Sequence, residues 1–371
     1  MRGSPMHRSV EHHPSTDVSA ESLHPESLHL MGSRHRLARV VAAALQSAGI
    51  PTDASDPPRI VLAVSGGGDS MAMLVLVAAL RARVPDALAR TAVVSIDHGL
   101  REGARAEAES AVALARHLGV GCAEVRSVAV ARSGNLLDAA RSARLAALRS
   151  ACVDFGASTL LLAQQAEDRA ESLLIGLSRG IGIDALAALM PMRVFDNGIA
   201  IVRPMLGCRR AELREFLRVV GVSWAEDPSN ALRDRGALRT DPATAALVER
   251  MVAGCGSLFA EAEGLLDLRD TLAARALGAA DTLAIDRASL EALHPIVRAE
   301  VLARLGVRAG SVVRRSVIAR VDQLLAQDDR APHRFMLEGD LVLVVDRARV
   351  AIEAQDALAG ARRSGPVTPA D

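Results

Sequence analysis

Ser65-Gly66-Gly67-Gly68-Asp69-Ser70 separates two apolar runs, Arg59 to Val64 and Met71 to Val84. The first has the length of a strand and the second that of a helix. A glycine-rich turn from a strand into a helix N-terminus is a phosphate cradle. Glycine lets the backbone come close to an anion, and the free amides and positive helix end face it. The hydroxyls of Ser65 and Ser70 add donors.

Asp69 narrows this reading. A carboxylate beside a phosphate is repulsive unless a cation lies between them, and a hydrated Mg²⁺ bridging the two sets of oxygens is the ordinary solution. The loop has no G-K-[ST] and no G-x-G-x-x-G, so it is neither a Walker A loop nor a dinucleotide fingerprint. It resembles the S-G-G-x-D-S signature of the PP-loop, or N-type, ATP pyrophosphatases. Those enzymes split ATP between its α- and β-phosphates and adenylylate a substrate oxygen.

Composition sets bounds. At 371 residues the chain is long enough for two domains, and half of it is hydrophobic. It contains no apolar run long enough to span a bilayer, so no membrane association is expected. Basic and acidic residues balance at 44 each, and every fixed cation is an arginine because lysine is absent. Tyrosine is absent too, and a GC-rich coding bias accounts for both. Cys122, Cys152, Cys208 and Cys255 form no C-x-x-C pair, so zinc and iron–sulfur spacing is missing and buried thiols in a reducing compartment are expected. Residues 1–35 hold six of the ten histidines and little apolar periodicity. They read as a disordered extension without the apolar core of a signal peptide, and the expected location is the cytoplasm.

From about Arg36 the pattern becomes orderly. Strand candidates are Arg59–Val64, Thr91–Ile96, Glu124–Val130, Thr159–Ala163 and Ile199–Val202. Between and after them, helical spacing covers Met71–Val84, Ala104–Leu118, Leu136–Cys152, Glu167–Leu177 and Arg210–Val220. That alternation predicts an α/β fold, a parallel sheet with helices on both faces over residues 36–240. Ligands of such sheets bind beyond the C-terminal strand ends, where the Ser65–Ser70 loop falls. After about residue 240 the spacing is mainly helical, which predicts a second domain over 241–358. Glu338-Gly339-Asp340 marks a small hairpin near its end, and 359–371 read as a tail.

Gln164-Gln165-Ala166-Glu167-Asp168-Arg169-Ala170-Glu171-Ser172 also follows a strand. A helix starting near Ala166 puts Asp168 and Glu171 on one face. Taken alone, these acids read as ordinary helix-dipole partners. They stand with Asp97-His98-Gly99-Leu100-Arg101, with Ala140-Arg141-Ser142-Ala143-Arg144, with Arg203-Pro204-Met205-Leu206 and with Asp227-Pro228-Ser229-Asn230. In this order and spacing the set resembles the bacterial tRNA(Ile)-lysidine synthetase family, from about Leu37 to Arg239 and weakly beyond.

The resemblance implies an adenine nucleotide α-hydrolase-like PP-loop fold. It implies an enzyme that uses ATP, Mg²⁺, free lysine and a tRNA(Ile) with a CAU anticodon. The wobble cytidine O2 is adenylylated with loss of pyrophosphate, and lysine's side-chain amine then displaces AMP to give lysidine. Ser65, Gly66, Gly67, Gly68, Asp69, Ser70, Asp97 and His98 would bind the nucleotide. Asp69 and Asp168 would serve the metal. Asp168 and Glu171 would hold lysine's amino group, with Arg144 on its carboxylate or a phosphate. Arg203, Arg235 and Arg239 are the expected RNA or phosphate contacts, and homodimerisation is left open.

The chain departs from the family at H-H-x-D-D-Q-x-E-T, where both histidines are Gln164 and Gln165 and the usual glutamine is Arg169. Glutamine donates hydrogen bonds but carries no charge. If the first histidine stabilises charge on the α-phosphate, its loss costs transition-state stabilisation, and the cation at Arg169 is the available compensation. A weakened enzyme or a non-enzymatic tRNA-binding paralogue is therefore the second expectation. A PP-loop thiolase would need the C-x-x-C pairs that are missing here. From Arg203 to Arg239 there are eight arginines against five acids, a local excess compatible with RNA phosphates.

Overall fold

The computed structural model describes residues 32–355 and 367–368, apart from 33, 52–54, 98, 100–102, 130–135, 180–189, 195–197, 227–233, 255 and 279–281. The chain divides into two compact units, residues 1–259 and 260–371.

The first unit begins with α1 (Arg36–Ser47), β1 (Ile60–Ala63), α2 (Gly68–Arg81), β2 (Thr91–Asp97), α3 (Ala104–His117) and β3 (Cys122–Ser127). It continues with α4 (Leu136–Phe155), β4 (Thr159–Leu161), α5 (Ala166–Ser178), β5 (Met192–Val194), β6 (Ala200–Val202) and α6 (Arg210–Val219). Then follow α7 (Asp234–Thr240), α8 (Pro242–Gly254) and the start of α9 (Gly256–Leu277). The sheet order is β3-β2-β1-β4-β6-β5. β1 runs parallel to both β2 and β4, as the alternating pattern predicts. Only β5 is antiparallel, paired with β6 through Met192↔Val202 and Val194↔Ala200. This edge strand escaped the sequence reading because three exposed residues carry no periodicity.

β1 is buried on both faces. Ile60 and Leu62 pack in the core with α1, α2, α3 and α6, while Val61 packs in a second core with α4. α2 is buried from Ser70 through Arg81, which is why its apolar run has no polar stripe. Truncating one of its central side chains, such as the fully buried Leu76, to alanine costs about 2–5 kcal/mol. The strand order moves outward from β1 to β2 and β3, then crosses to β4 on the other side. The crevice at a sheet's C-terminal edge lies where such a reversal falls, here between β1 and β4.

The change of rhythm near residue 240 lies inside this unit. α8 packs on α5, so helical spacing alone did not mark where one packed body ends.

The second unit contains most of α9, then β7 (Ala284–Asp286), α10 (Arg287–Glu291), α11 (Pro295–Arg308) and α12 (Arg315–Ala326). β8 (His333–Met336), β9 (Leu341–Val345), β10 (Arg349–Ala354) and β11 (Val367–Thr368) complete it. The helices are joined by a sheet of order β11-β8-β9-β10-β7. The expected hairpin is β8–β9, with Gly339 and Asp340 at positive φ in its turn. It grew into five strands because β10 and β7 also add apolar residues, Val350, Ile352 and Ile285, to the same core.

Candidate functional site

The loop from Ser65 to Ser70 is held by its own hydroxyls and by a distant segment. Ser70 Oγ accepts from the Ser65 amide at 3.1 Å and donates to the Gly67 carbonyl at 2.9 Å. Ser65 Oγ lies 3.2 Å from it and, with the Ser70 proton already committed, is the donor. Gly66 has φ +83°, and a Cβ there would meet the Glu107 carbonyl at 3.0 Å. Gly68 opens α2, and a Cβ on it would lie 3.2 Å from Trp224 Cδ1. The Ala225 amide donates to Gly66 O at 2.9 Å, and Ala225 bridges Gly67. Trp224 and Ala225 therefore brace the loop from outside.

The second cluster forms where β4 gives way to α5. Gln165 is the fully buried N-cap. Its Oε1 accepts from the Glu167 amide at 2.6 Å, and its own amide donates to Asp168 Oδ2 at 3.2 Å. Such a capping box contributes about 1 kcal/mol. The Glu167 bond fixes the orientation of the Gln165 side chain, and its Nε2 is buried with no partner among the described residues.

Asp168 and Glu171 do share a face, and arginines meet them. Arg239 donates from Nε to Glu171 Oε1 at 2.7 Å and from Nη2 to Oε2 at 2.8 Å. Arg210 Nη2 adds a bond to Oε1 at 3.0 Å. Arg239 also reaches Asp168 Oδ1 at 3.3 Å. Burial alone would raise the Glu171 pKa, but these arginines outweigh it and hold the carboxyl below its ordinary value. Arg210 was not singled out by the sequence reading. The signal was there: two arginines at a helix start, Arg209-Arg210, oppose the dipole and call for acidic partners. A cavity of about 230 Å³ opens beside this network, lined among others by Glu167, Glu171, Arg210, Arg239 and Val248.

Asp69 behaves differently. Its pKa is raised to about 6, first by burial and then by the charge of Asp168, with Arg210, Arg239 and Arg214 pulling it down. The phosphate loop and the start of α5 therefore meet in one field, although Asp69 and Asp168 are far apart in sequence. Carboxylate oxygens beside a phosphate cradle are hard donors of the kind Mg²⁺ takes, usually with several waters kept, so that two protein carboxylates suffice. Asp69 and Asp168 would hold it, and it would neutralise phosphate charge.

The other expected residues are distributed as follows. Asp97 ends β2, and its Oδ1 accepts from the Gly99 amide at 2.9 Å. Arg144 lies exposed on α4. Arg203 is buried directly after β6, and its Nε donates to Gln164 Oε1 at 3.1 Å. Arg169 stacks on Phe259, with its guanidinium carbon 4.0 Å from the ring centroid. His98, Asp227 to Asn230 and the side chain of Arg235 lie outside the described residues.

A doubly wound sheet with a glycine-rich phosphate loop and paired carboxylates at its switch point defines a nucleotide-binding α/β domain. Residues 35–241 match the PP-loop domain family, so the chain is a PP-loop protein. Its relatives specify which kind. It is 35% identical to the tRNA(Ile)-lysidine synthase of Streptomyces coelicolor over 273 residues, covering 71% of this chain and 74% of that one. Against the tRNA(Ile)-lysidine synthase of Ralstonia nicotianae it is 38% identical, covering 79% and 64%. Against that of Ruegeria pomeroyi it is 41% identical, covering 48% and 41%. The chain belongs to the tRNA(Ile)-lysidine synthase family. It spans about half the length of several of the curated relatives it matches. Among solved structures, the U34-tRNA thiolase NcsA from Methanococcus maripaludis aligns at TM-score 0.45 and 14% identity, over 59% of this chain and 80% of that one. No single described helix is long and apolar enough to cross a membrane.

Proposed function

We propose that the chain ligates lysine to C2 of the wobble cytidine of a tRNA(Ile) with a CAU anticodon, in the cytoplasm, at the expense of ATP. The observation that carries the reading is that β1 and β4 are adjacent parallel strands, so the Ser65–Ser70 loop and the α5 carboxylates both start at the same edge of the sheet. Membership of the family supports it. Ser65 to Ser70 would hold the departing pyrophosphate. Asp69 and Asp168 would hold Mg²⁺, which would supply positive charge against the phosphates. Adenylylation of the cytosine O2 would make C2 electrophilic, and the lysine side-chain amine would then displace AMP.

Lysine's cationic amino group needs an acid that arginine does not fully neutralise. Glu171 is already held by Arg210 and Arg239. Asp168, beside it on the same helix face, would share the role of that acid. The cavity beside Glu171, which Glu167 also lines, would be the compartment for the amino acid.

A second reading, a slowed enzyme or a tRNA binder without turnover, draws on one observation. Gln164 and Gln165 replace the two histidines, and Arg169 is stacked on Phe259. One assay separates the two readings. A CAU-anticodon tRNA(Ile) transcript is incubated with the chain, ATP, Mg²⁺ and labelled lysine. Label in the RNA with matching AMP and pyrophosphate is expected. RNA binding without pyrophosphate release would favour the binder, and neither binding nor release would refute both.

A further inference from the structure

Trp224 follows α6 and packs against the core of the first unit. Its indole lies over the first residue of α2. A Cβ added to Gly68 would meet Trp224 Cδ1 at 3.2 Å, Nε1 at 3.4 Å and Cγ at 3.5 Å. All three atoms belong to the five-membered ring, so the edge that carries the N–H is the edge at the helix start. Neighbouring contacts hold the ring there. The Ala225 amide donates to Gly66 O at 2.9 Å, and Ala225 bridges Gly67. The Arg218 guanidinium covers the ring, its carbon 5.9 Å from the centroid.

Trp224 Nε1 is buried and has no hydrogen-bond partner among the described residues. The indole N–H only donates, and a buried donor without an acceptor costs free energy that a native structure must explain. This donor lies at the N-terminus of α2, where the Ser65–Ser70 loop turns its amides toward an anion. A purely apolar ring would cover Gly68 equally well and leave no donor unspent. Packing therefore accounts for the ring, and an acceptor that arrives with the ligand accounts for the N–H.

We propose that Trp224 is a nucleotide-binding residue: its Nε1–H donates to a phosphate oxygen of the pyrophosphate part of ATP seated on the Ser65–Ser70 loop. The proposal rests on the reading of that loop as a phosphate cradle and adds a donor that lies outside the loop's own sequence. Gly68 would have a second task beside opening α2, since its missing Cβ leaves the space through which the indole approaches the anion. The bonds from Ala225 to Gly66 and Gly67 would fix the donor before the ligand arrives, so that little ordering is left for the binding step.

Trp224 is the only tryptophan of the chain, so a single indole resonance reports on this contact. The full chain, labelled with ¹⁵N at the tryptophan indole, is titrated with inorganic pyrophosphate in the presence of Mg²⁺. The indole proton should move downfield at saturation, as a hydrogen bond to a phosphate oxygen requires, and should stay in place with Mg²⁺ alone. Calorimetric titration supplies the second readout. Trp224→Phe keeps an aromatic ring and loses the N–H, and it should bind pyrophosphate roughly 10- to 100-fold more weakly, the worth of one hydrogen bond to a charged group. Gly68→Ala, which pushes the indole away, should also weaken binding. The two changes combined should cost much less than the product of their separate effects, because both act on one contact. An indole resonance unmoved by saturating pyrophosphate overturns the contact, whatever the variants do. Unchanged pyrophosphate affinity in a Trp224→Phe chain that melts like wild type overturns it too, leaving the ring as packing alone. A wild type that binds neither pyrophosphate nor ATP overturns the reading of the phosphate loop itself, and the contact with it.

Discussion

Asp69→Asn should stabilise the folded chain while abolishing its chemistry. Asp69 carries a pKa raised from 3.8 to about 6 by burial and by Asp168. A carboxyl whose folded pKa lies above its unfolded value binds a proton on folding. Its ionised form therefore destabilises the fold increasingly as the pH rises above the unfolded value of 3.8, fully above about 6, and contributes nothing well below 3.8, where both states are protonated. The displacement corresponds to about 3 kcal/mol at pH 8. Asparagine keeps the shape and removes the charge. With metal chelated, the variant should gain about 2–3 kcal/mol at pH 8, after allowing for partial solvent contact. The melting temperature of a unit this size should rise by roughly 5–10 °C. The gap should fall to about half at pH 5, to about a fifth at pH 4, and close near about pH 3. Thermal melts of both chains in chelator at these pH values measure it, and pyrophosphate release from ATP in the same preparations measures activity. Equal melting at pH 8, or a gap that does not shrink as the pH falls, would refute the like-charge account of Asp69. A variant that still turns over at the wild-type rate would refute its place in the site.

Glu171→Gln should destabilise the first unit by about 2–3 kcal/mol in denaturant titrations. It leaves Arg239 and Arg210 short of a charge, although Arg239 is 33% exposed and can return to water. The Glu171 pKa is depressed, so this contribution is present above about pH 4.5, is lost as the pH falls through the folded value, and the two chains should converge in acid. Gly66→Ala should cost about 1–2 kcal/mol and raise the KM for ATP, since φ +83° and the Glu107 carbonyl at 3.0 Å both exclude a Cβ; unchanged stability and KM would count against a strained cradle. Gln164→His with Gln165→His should raise the rate of pyrophosphate release and introduce an acid limb near about pH 6.5. The cap should survive, because His35 and His294 already cap helices of this chain through Nδ1. No gain in an active chain would show that another group already stabilises the phosphate.

Much of this protein was legible in local sequence. The Ser65–Ser70 loop announced itself because a glycine-rich turn between a buried strand and a buried helix depends on short-range chemistry. The parallel sheet followed from the alternation of apolar runs, and the closeness of Asp168 and Glu171 followed from helix periodicity. Tertiary structure alone decided the partners. Arg239 and Arg210 reach Glu171 from elements that lie far along the chain. Trp224 and Ala225 brace a loop formed by residues well over a hundred positions earlier. Arg169, which in sequence stands where it could replace a lost imidazole, stacks on Phe259 instead. Charge and shape at a site depend on distances through space. Local sequence sets which way a side chain leaves its helix or strand, and packing sets what it meets there.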